Sequence, residues 1–343
     1  MTIIELLTPA YEVAWLPWAV QYFFLVGLAA ASALWVWRCA WSGDGALRAL
    51  EPALMIVLLC SSIAAPISLL ADLHQPGRFW HFYAHFTPWS WMSLGAVLLP
   101  LFVGLSLANV LAWWLDRRAL WRWLSLALLA SALSILVYSG AEVMVLRSRP
   151  LWNTVFLPVN FALTAALASL GAILLVARWL PGGTAALPAA ALRRWALATV
   201  LALVAGALLW MATGLFGHSR SFETAMELFR TYPVWRVSFL GSLAAGLLIL
   251  FLLSRPAAAL QGRFHSLLCA LLMLGSAWVF RWIIFMAVQG VPKYGAGLYL
   301  YAMPLGSDGL LGMLGVLGLC IALLSLSTTL LSLFPARCRV LAA

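Results

Sequence analysis

Nine apolar stretches of roughly twenty residues follow one another along this 343-residue chain, near 15–37, 50–71, 91–115, 123–144, 154–178, 194–216, 233–254, 264–288 and 309–334. A helix of about that length crosses ~30 Å of hydrocarbon. Inside a bilayer the backbone of such a helix must satisfy its own hydrogen bonds. The pattern predicts an all-α polytopic membrane protein with about nine transmembrane helices, eight being the alternative count. These form helical bundles joined by short loops, in a single integral membrane domain over 1–343. Mean hydropathy is +1.03 and only 9% of residues are charged, which leaves nothing for a sizeable soluble domain. Two bundles of about four helices plus one extra would be a natural packing. The first stretch follows an acidic segment (Glu5, Glu12) with no basic leader and no small-residue cleavage site, so it is expected to be an uncleaved span.

The net charge of +10 is a topology signal, not a nucleic-acid footprint. With the N-terminus outside, twelve basic residues fall in inner loops: Arg38, Arg48, Arg117, Arg118, Arg122, Arg178, Arg193, Arg194, Arg255, Arg263, Arg337 and Arg339. Seven fall outside: Arg78, Arg147, Arg149, Arg220, Arg230, Arg236 and Lys293. Twelve against seven favours a membrane topology with the N-terminus outside and the C-terminus inside. Cys39, Cys60, Cys269, Cys320 and Cys338 have no metal-ligand spacing, which argues against an iron–sulfur cluster held by this chain. His74, His81, His85, His218 and His265 sit at span boundaries rather than at mid-span, which argues against haem. His81 and His85 are one turn apart but lack a third ligand, so no metal site is expected.

Polar chemistry is concentrated in 71–91, ADLHQPGRFWHFYAHFTPWSW, where an Asp, three His, an Arg and many aromatics meet one membrane boundary. Ionisable groups that enter or touch a membrane are functional candidates because burial is costly there. Asp72 ends the second span. A carboxylate at a helix C-terminus opposes the macrodipole, so it is either a proton acceptor or a structural group bonded to Arg78 or capping backbone. Tyr138 and Glu142 are i and i+4 near the outer end of the fourth span, on one helix face. Gly140 between them admits a close helix or a flat ligand. Glu142 could instead pair with Arg147 at the membrane edge. Arg281 is the deepest charge, and an ion pair within the bundle is its simplest role. Gln21 and Tyr22 add polar atoms near the outer side of the first span.

Asp72, His74, Tyr138 and Glu142 at one face of the outer leaflet suit proton-coupled oxidation of a lipid-soluble ring. A quinol needs hydrogen-bonding partners for its oxygens, a base for the released proton, and an apolar slot open to lipid.

The segments ADLHQPGRFW, YSGAEV and RSRPLWNTVFLPVNF resemble the NrfD/PsrC-type membrane subunits of molybdenum-dependent reductases. With WLPWAVQYFF (15–24), 71–92 and 280–315, the chain resembles the tetrathionate reductase type more closely still, whereas 179–265 departs most. The resemblance implies a membrane anchor that oxidises quinol, with quinone or menaquinone bound as substrate and with no haem or iron–sulfur cluster of its own. Its partners would be a ferredoxin-like iron–sulfur subunit and a molybdopterin subunit reducing tetrathionate on the periplasmic face, beside membrane lipid and quinol. It carries a quinone-bordering role to Tyr138, and the D-L-x pattern falls on Asp72 and His74. Gln21 and Tyr22 fall in the first-span region that faces quinone in relatives. Loops 72–91, 145–153 and 289–308 would form the docking platform.

Two alternatives stand beside this. The first is the same anchor role for a polysulfide, thiosulfate or other molybdopterin reductase. The second is a secondary transporter coupling through Asp72, Glu142 and Arg281, which should show paired inverted repeats and mid-membrane broken helices; here the polar residues crowd one face and only Arg281 is deep, which argues against it.

Overall fold

The computed structural model describes residues 13–291 and 298–334, and these are helical throughout their ordered elements. The α-helices are α1 Pro17–Trp41, α2 Glu51–Asp72, α3 His81–Ala84, α4 Trp91–Trp114, α5 Arg118–Met144, α6 Phe156–Val176, α7 Ala189–Leu215, α8 Arg220–Thr231, α9 Pro233–Ser254, α10 Arg263–Trp282 and α11 Leu310–Leu333. Nine helices among the described residues are long and apolar enough to cross a membrane. Several spans begin or end a few residues beyond the apolar limits. The span expected at 123–144 starts at Arg118 and that at 194–216 starts at Ala189. Arginines at the ends allow this, because their stems lie along apolar surface while the guanidinium reaches water. Glu5, Glu12, Lys293, Arg337, Arg339 and Cys338 lie outside the described residues, as does part of the expected docking loop 289–308.

Helices α1, α2, α4 and α5 pack as one group, and α6, α7, α9 and α10 as a second. α1 lies between them, touching α2, α5, α6 and α10, while α11 leans on α2 and α1. Small residues make that central position possible: Gly27 and Ala29 to Ala31 on α1 are buried, and without bulky side chains neighbouring backbones can approach closely. Gly140 of α5 lies so near Pro158 of α6 that a Cβ would overlap the proline. The close neighbour that Gly140 admits is thus a helix. α7, α9 and α11 keep mostly open apolar faces, as lipid-facing helices do.

Two elements depart from the expected helix–loop–helix rhythm. The 217–232 connection contains α8, which begins where the Ser219 hydroxyl accepts the Phe222 N–H (3.4 Å). It leaves Glu223, Glu227 and Arg230 at least partly open to solvent while burying Leu228. α10 continues into a π-helical turn at Ile283–Ala287. Wider turns leave carbonyls off the normal ladder, and here the Trp152 indole donates to the Ile284 carbonyl (2.8 Å).

Gly140→Val should strain the α5–α6 contact. The expected cost of overpacking is ~1–3 kcal/mol, visible as a lower unfolding temperature in mild detergent.

Candidate functional site

One cavity of about 470 Å³ opens between α2 and α4, inside the usual size range of small-molecule sites, ~300–1,000 Å³. Pro66, Leu69, Leu70 and Leu73 of the α2 side face Met92, Ala96, Leu99, Pro100, Val103 and Leu107 of α4 across it. Phe79, Phe82 and Tyr83 cover the end nearest the 72–91 loop. Leu70, Met92 and Leu107 are exposed at its rim, so in a bilayer the mouth faces lipid. Pro66 and Pro100 lie inside their helices, and each lacks the N–H that a ladder bond requires.

The cavity's polar end comes from α5 and α1: Tyr138, Glu142 and Tyr22 all line it. Tyr138 and Tyr22 are buried. Gly95 of α4 lies against the Tyr138 ring, and a Cβ there would collide with the hydroxyl. Glu142 Oε2 is buried with no hydrogen-bond partner among the described residues. A buried carboxylate oxygen without a donor is costly, and this one belongs to a residue that lines the cavity.

The other residues singled out from sequence lie elsewhere. Asp72 is not part of the cavity lining and accepts the Leu16 N–H through Oδ1 (3.1 Å). Its helix-terminal position then makes sense. Although Asp72 sits at the C-terminus of α2, it stands at the N-terminus of α1, where free N–H groups and the positive end of the dipole favour a carboxylate. Gln21 accepts the Trp278 indole N–H (3.3 Å). His74, Arg78 and Arg147 are outside the cavity lining, and Arg78 and Arg147 are exposed. Ion pairs among the described residues join Arg118 to Glu51 and to Asp116, so neither Asp72–Arg78 nor Glu142–Arg147 is formed. The His81 and His85 rings are 5.7 Å apart, and no group of three His, Cys, Asp or Glu among the described residues could hold a metal.

Arg281 is 1% exposed and has no acidic partner among the described ion pairs. Its Nε donates to the Phe23 carbonyl (2.9 Å), Nη1 to the Thr164 hydroxyl (3.1 Å) and the Ala277 carbonyl (3.0 Å), and Nη2 to the Phe161 carbonyl (3.1 Å). The guanidinium also lies over the Phe161 ring. Gly27 leaves room for it, since a Cβ there would stand 3.0 Å from Nη2. Its bonds are to oxygens of α1, α6 and its own helix rather than to an acid, so the ion pair expected for it is replaced by neutral acceptors.

A family model described as NrfD, polysulphide reductase, matches residues 6–293. The chain belongs to the NrfD family. It is 36% identical over 328 residues to the C subunit of tetrathionate reductase from Salmonella typhimurium, covering 93% of each chain. The range matched by the NrfD model contains every cavity-lining residue and Arg281, and it ends before α11. Gly95 and Phe82 were not evident as site residues from sequence, because the contact between α4 and α5 that gives Gly95 its role joins positions far apart in the chain. Two prolines in facing spans were the available signal.

Asp72→Ala should remove the cap on α1, costing ~0.5–2 kcal/mol. Asp72→Asn should retain much of it, because the amide oxygen still accepts. Thermal unfolding of both variants in detergent checks this.

Proposed function

We propose that this NrfD-family chain is the quinol-oxidising membrane subunit of a reductase complex. The observation that carries the proposal is the lipid-open cavity ending on Tyr138 and Glu142. A quinol is a flat apolar ring on a lipid tail, with a hydroxyl at each end. The apolar walls suit the ring and the opening between α2 and α4 suits the tail. A quinol hydroxyl placed against Glu142 Oε2 supplies the missing donor, and Glu142 then takes the proton as base. Tyr138, held by Gly95 and one turn from Glu142, orients the same oxygen. Tyr22 of α1 completes the polar end.

The likeness to the Salmonella tetrathionate reductase protein supports tetrathionate reduction as the purpose of the electrons. They would pass to an iron–sulfur ferredoxin-like subunit and then to a molybdopterin catalytic subunit. The family model's description favours polysulfide as the second substrate reading. The partner would sit on the cavity's side of the membrane, and the arginine distribution supports reading that side as the periplasmic side of a bacterial inner membrane. Trp80, Tyr83, Phe86 and Trp89 are exposed on that face beside His81 and His85, a surface of the kind protein interfaces cover. Arg149 braces the neighbouring 145–153 loop by donating to the Val288 (2.9 Å) and Val291 (3.1 Å) carbonyls.

Tyr138→Phe and Glu142→Gln should each lower quinol-driven reduction by the intact complex by ~10²-fold or more. Reduction driven by a viologen dye, which feeds the soluble subunits directly, should be unchanged. Normal quinol turnover in both variants would remove this site from consideration.

A further inference from the structure

Three of the rings that line the cavity, Phe79, Phe82 and Tyr83, come from the connection between α2 and α4 rather than from a membrane span. The connection has local order of its own. A short 3-10 turn at Pro76–Arg78 leads into α3, and the backbone bonds close within the segment. Arg78 N–H donates to the Gln75 carbonyl (3.0 Å), Phe82 to Phe79 (3.2 Å), Ala84 to Trp80 (3.1 Å) and His85 to His81 (2.9 Å). The Thr87 hydroxyl donates to the His85 carbonyl (3.4 Å). Among the described residues no hydrogen bond and no ion pair joins 74–89 to a membrane span.

The segment also lacks a core, since none of its residues is buried. Phe79 and Tyr83 meet edge to face with centroids 6.5 Å apart, yet stay 45% and 49% exposed. Buried apolar contact and shielded backbone bonds give a segment its local stability, and one lacking both opens at little cost. Apolar contact is what rests it on the cavity. Its ends are suited to act as joints. Leu73 and Ser90 have extended backbone, with ψ 124° at both, just outside α2 and α4, and hinges commonly fall at such element-terminal positions.

A second set of rings in the same segment stands outside the lining: Trp80, Phe86 and Trp89 are each at least 45% exposed. Around them are His74, Arg78, His81 and His85, and the segment contains no acid. Exposed rings beside charge of one sign suit a protein partner with an acidic face, because complementary charge orients the encounter and apolar contact holds it. A partner seated on the second set of rings presses the first set onto the cavity.

We propose that residues 74–89 are a cap on the cavity that the electron-accepting partner holds shut, so that a quinol ring is gripped firmly only in the assembled complex. This rests on the quinol and partner reading above. In the chain alone the cap opens and closes, and apparent affinity falls with the fraction of time it is closed. A cap shut about a tenth of the time binds ~10-fold more weakly. Assembly removes that loss without any contact between the partner and the ring. An unassembled membrane subunit then releases quinol readily, and quinol is retained where its electrons have an acceptor.

Two measurements on the full chain and on the intact complex test this. A hydroxyquinoline N-oxide, a fluorescent quinol analogue, should bind the complex ~10-fold or more tightly than the chain alone. Phe79→Ala combined with Tyr83→Ala should weaken the complex several-fold more than it weakens the chain alone. Equal affinity in chain and complex would overturn the cap, and so would an equal loss in both, which marks the rings as a fixed wall. Nitroxides at Gln75→Cys and Trp123→Cys, in a chain whose own cysteines are replaced by serine, give a readout that needs no ligand. Their distance distribution should be broad in the chain alone and narrow in the complex, and equal widths would overturn the cap. An analogue that bound neither form would instead overturn the quinol site, while the nitroxide distances would still decide whether the partner pins the cap.

Discussion

Arg281 is a guanidinium enclosed by apolar helices, and the arrangement of the two bundles depends on how its charge is held. Placing an arginine at the centre of a membrane helix costs about 2.5–3.5 kcal/mol even by the milder scales. Here the cost is offset by carbonyl and hydroxyl oxygens, because the guanidinium spreads its charge over several N–H groups that can each find an acceptor. Those acceptors belong to α1, in the first bundle, and to α6 and α10, in the second. The contact works only because Gly27 yields space and because Phe161 stacks beneath the cation. A lysine, with a single point charge, could not engage both bundles in the same way.

The consequence for the cavity runs through α1. Phe23, whose carbonyl Arg281 holds, adjoins Tyr22, which lines the cavity. The entry of α1 is fixed from both sides as well. Asp72 caps it from α2, while the Gln289 amide donates to the Trp15 carbonyl (2.8 Å) and accepts the Trp15 N–H (3.2 Å). The polar residues that draw attention near this face thus divide into two sets. Asp72, Gln21, Gln289 and Arg281 position α1, whereas Tyr22, Tyr138 and Glu142 look into the space that α1 helps to wall. A rigid frame around a small polar end is what a site for a reactive ring requires.

The fold was legible in the sequence because hydropathy over twenty residues is a one-dimensional signal, and an apolar run of that length has one spanning structure open to it, the helix. The pairing of Tyr138 with Glu142 was legible for a similar reason, since i and i+4 share a face wherever a helix forms. The environment of Asp72 was not, because its partner N–H belongs to Leu16, at the start of another helix. Helix α8 was hidden because its charges resemble a surface connection, although Ser219 and the spacing of Glu223 and Glu227 marked it. The neutral company of Arg281 was hidden for a further reason. Backbone carbonyls carry no sequence signature, so a search for counter-charges points to an acid that the folded bundle does not supply.

Photo-crosslinking with an azido-quinone, competed by unlabelled quinol and mapped by mass spectrometry, tests most directly whether the cavity between α2 and α4 is where quinol reacts. Label should appear on residues 79–107 and 138–142 and disappear with competitor. Competable label confined to α7, α9 or α11 would contradict the account.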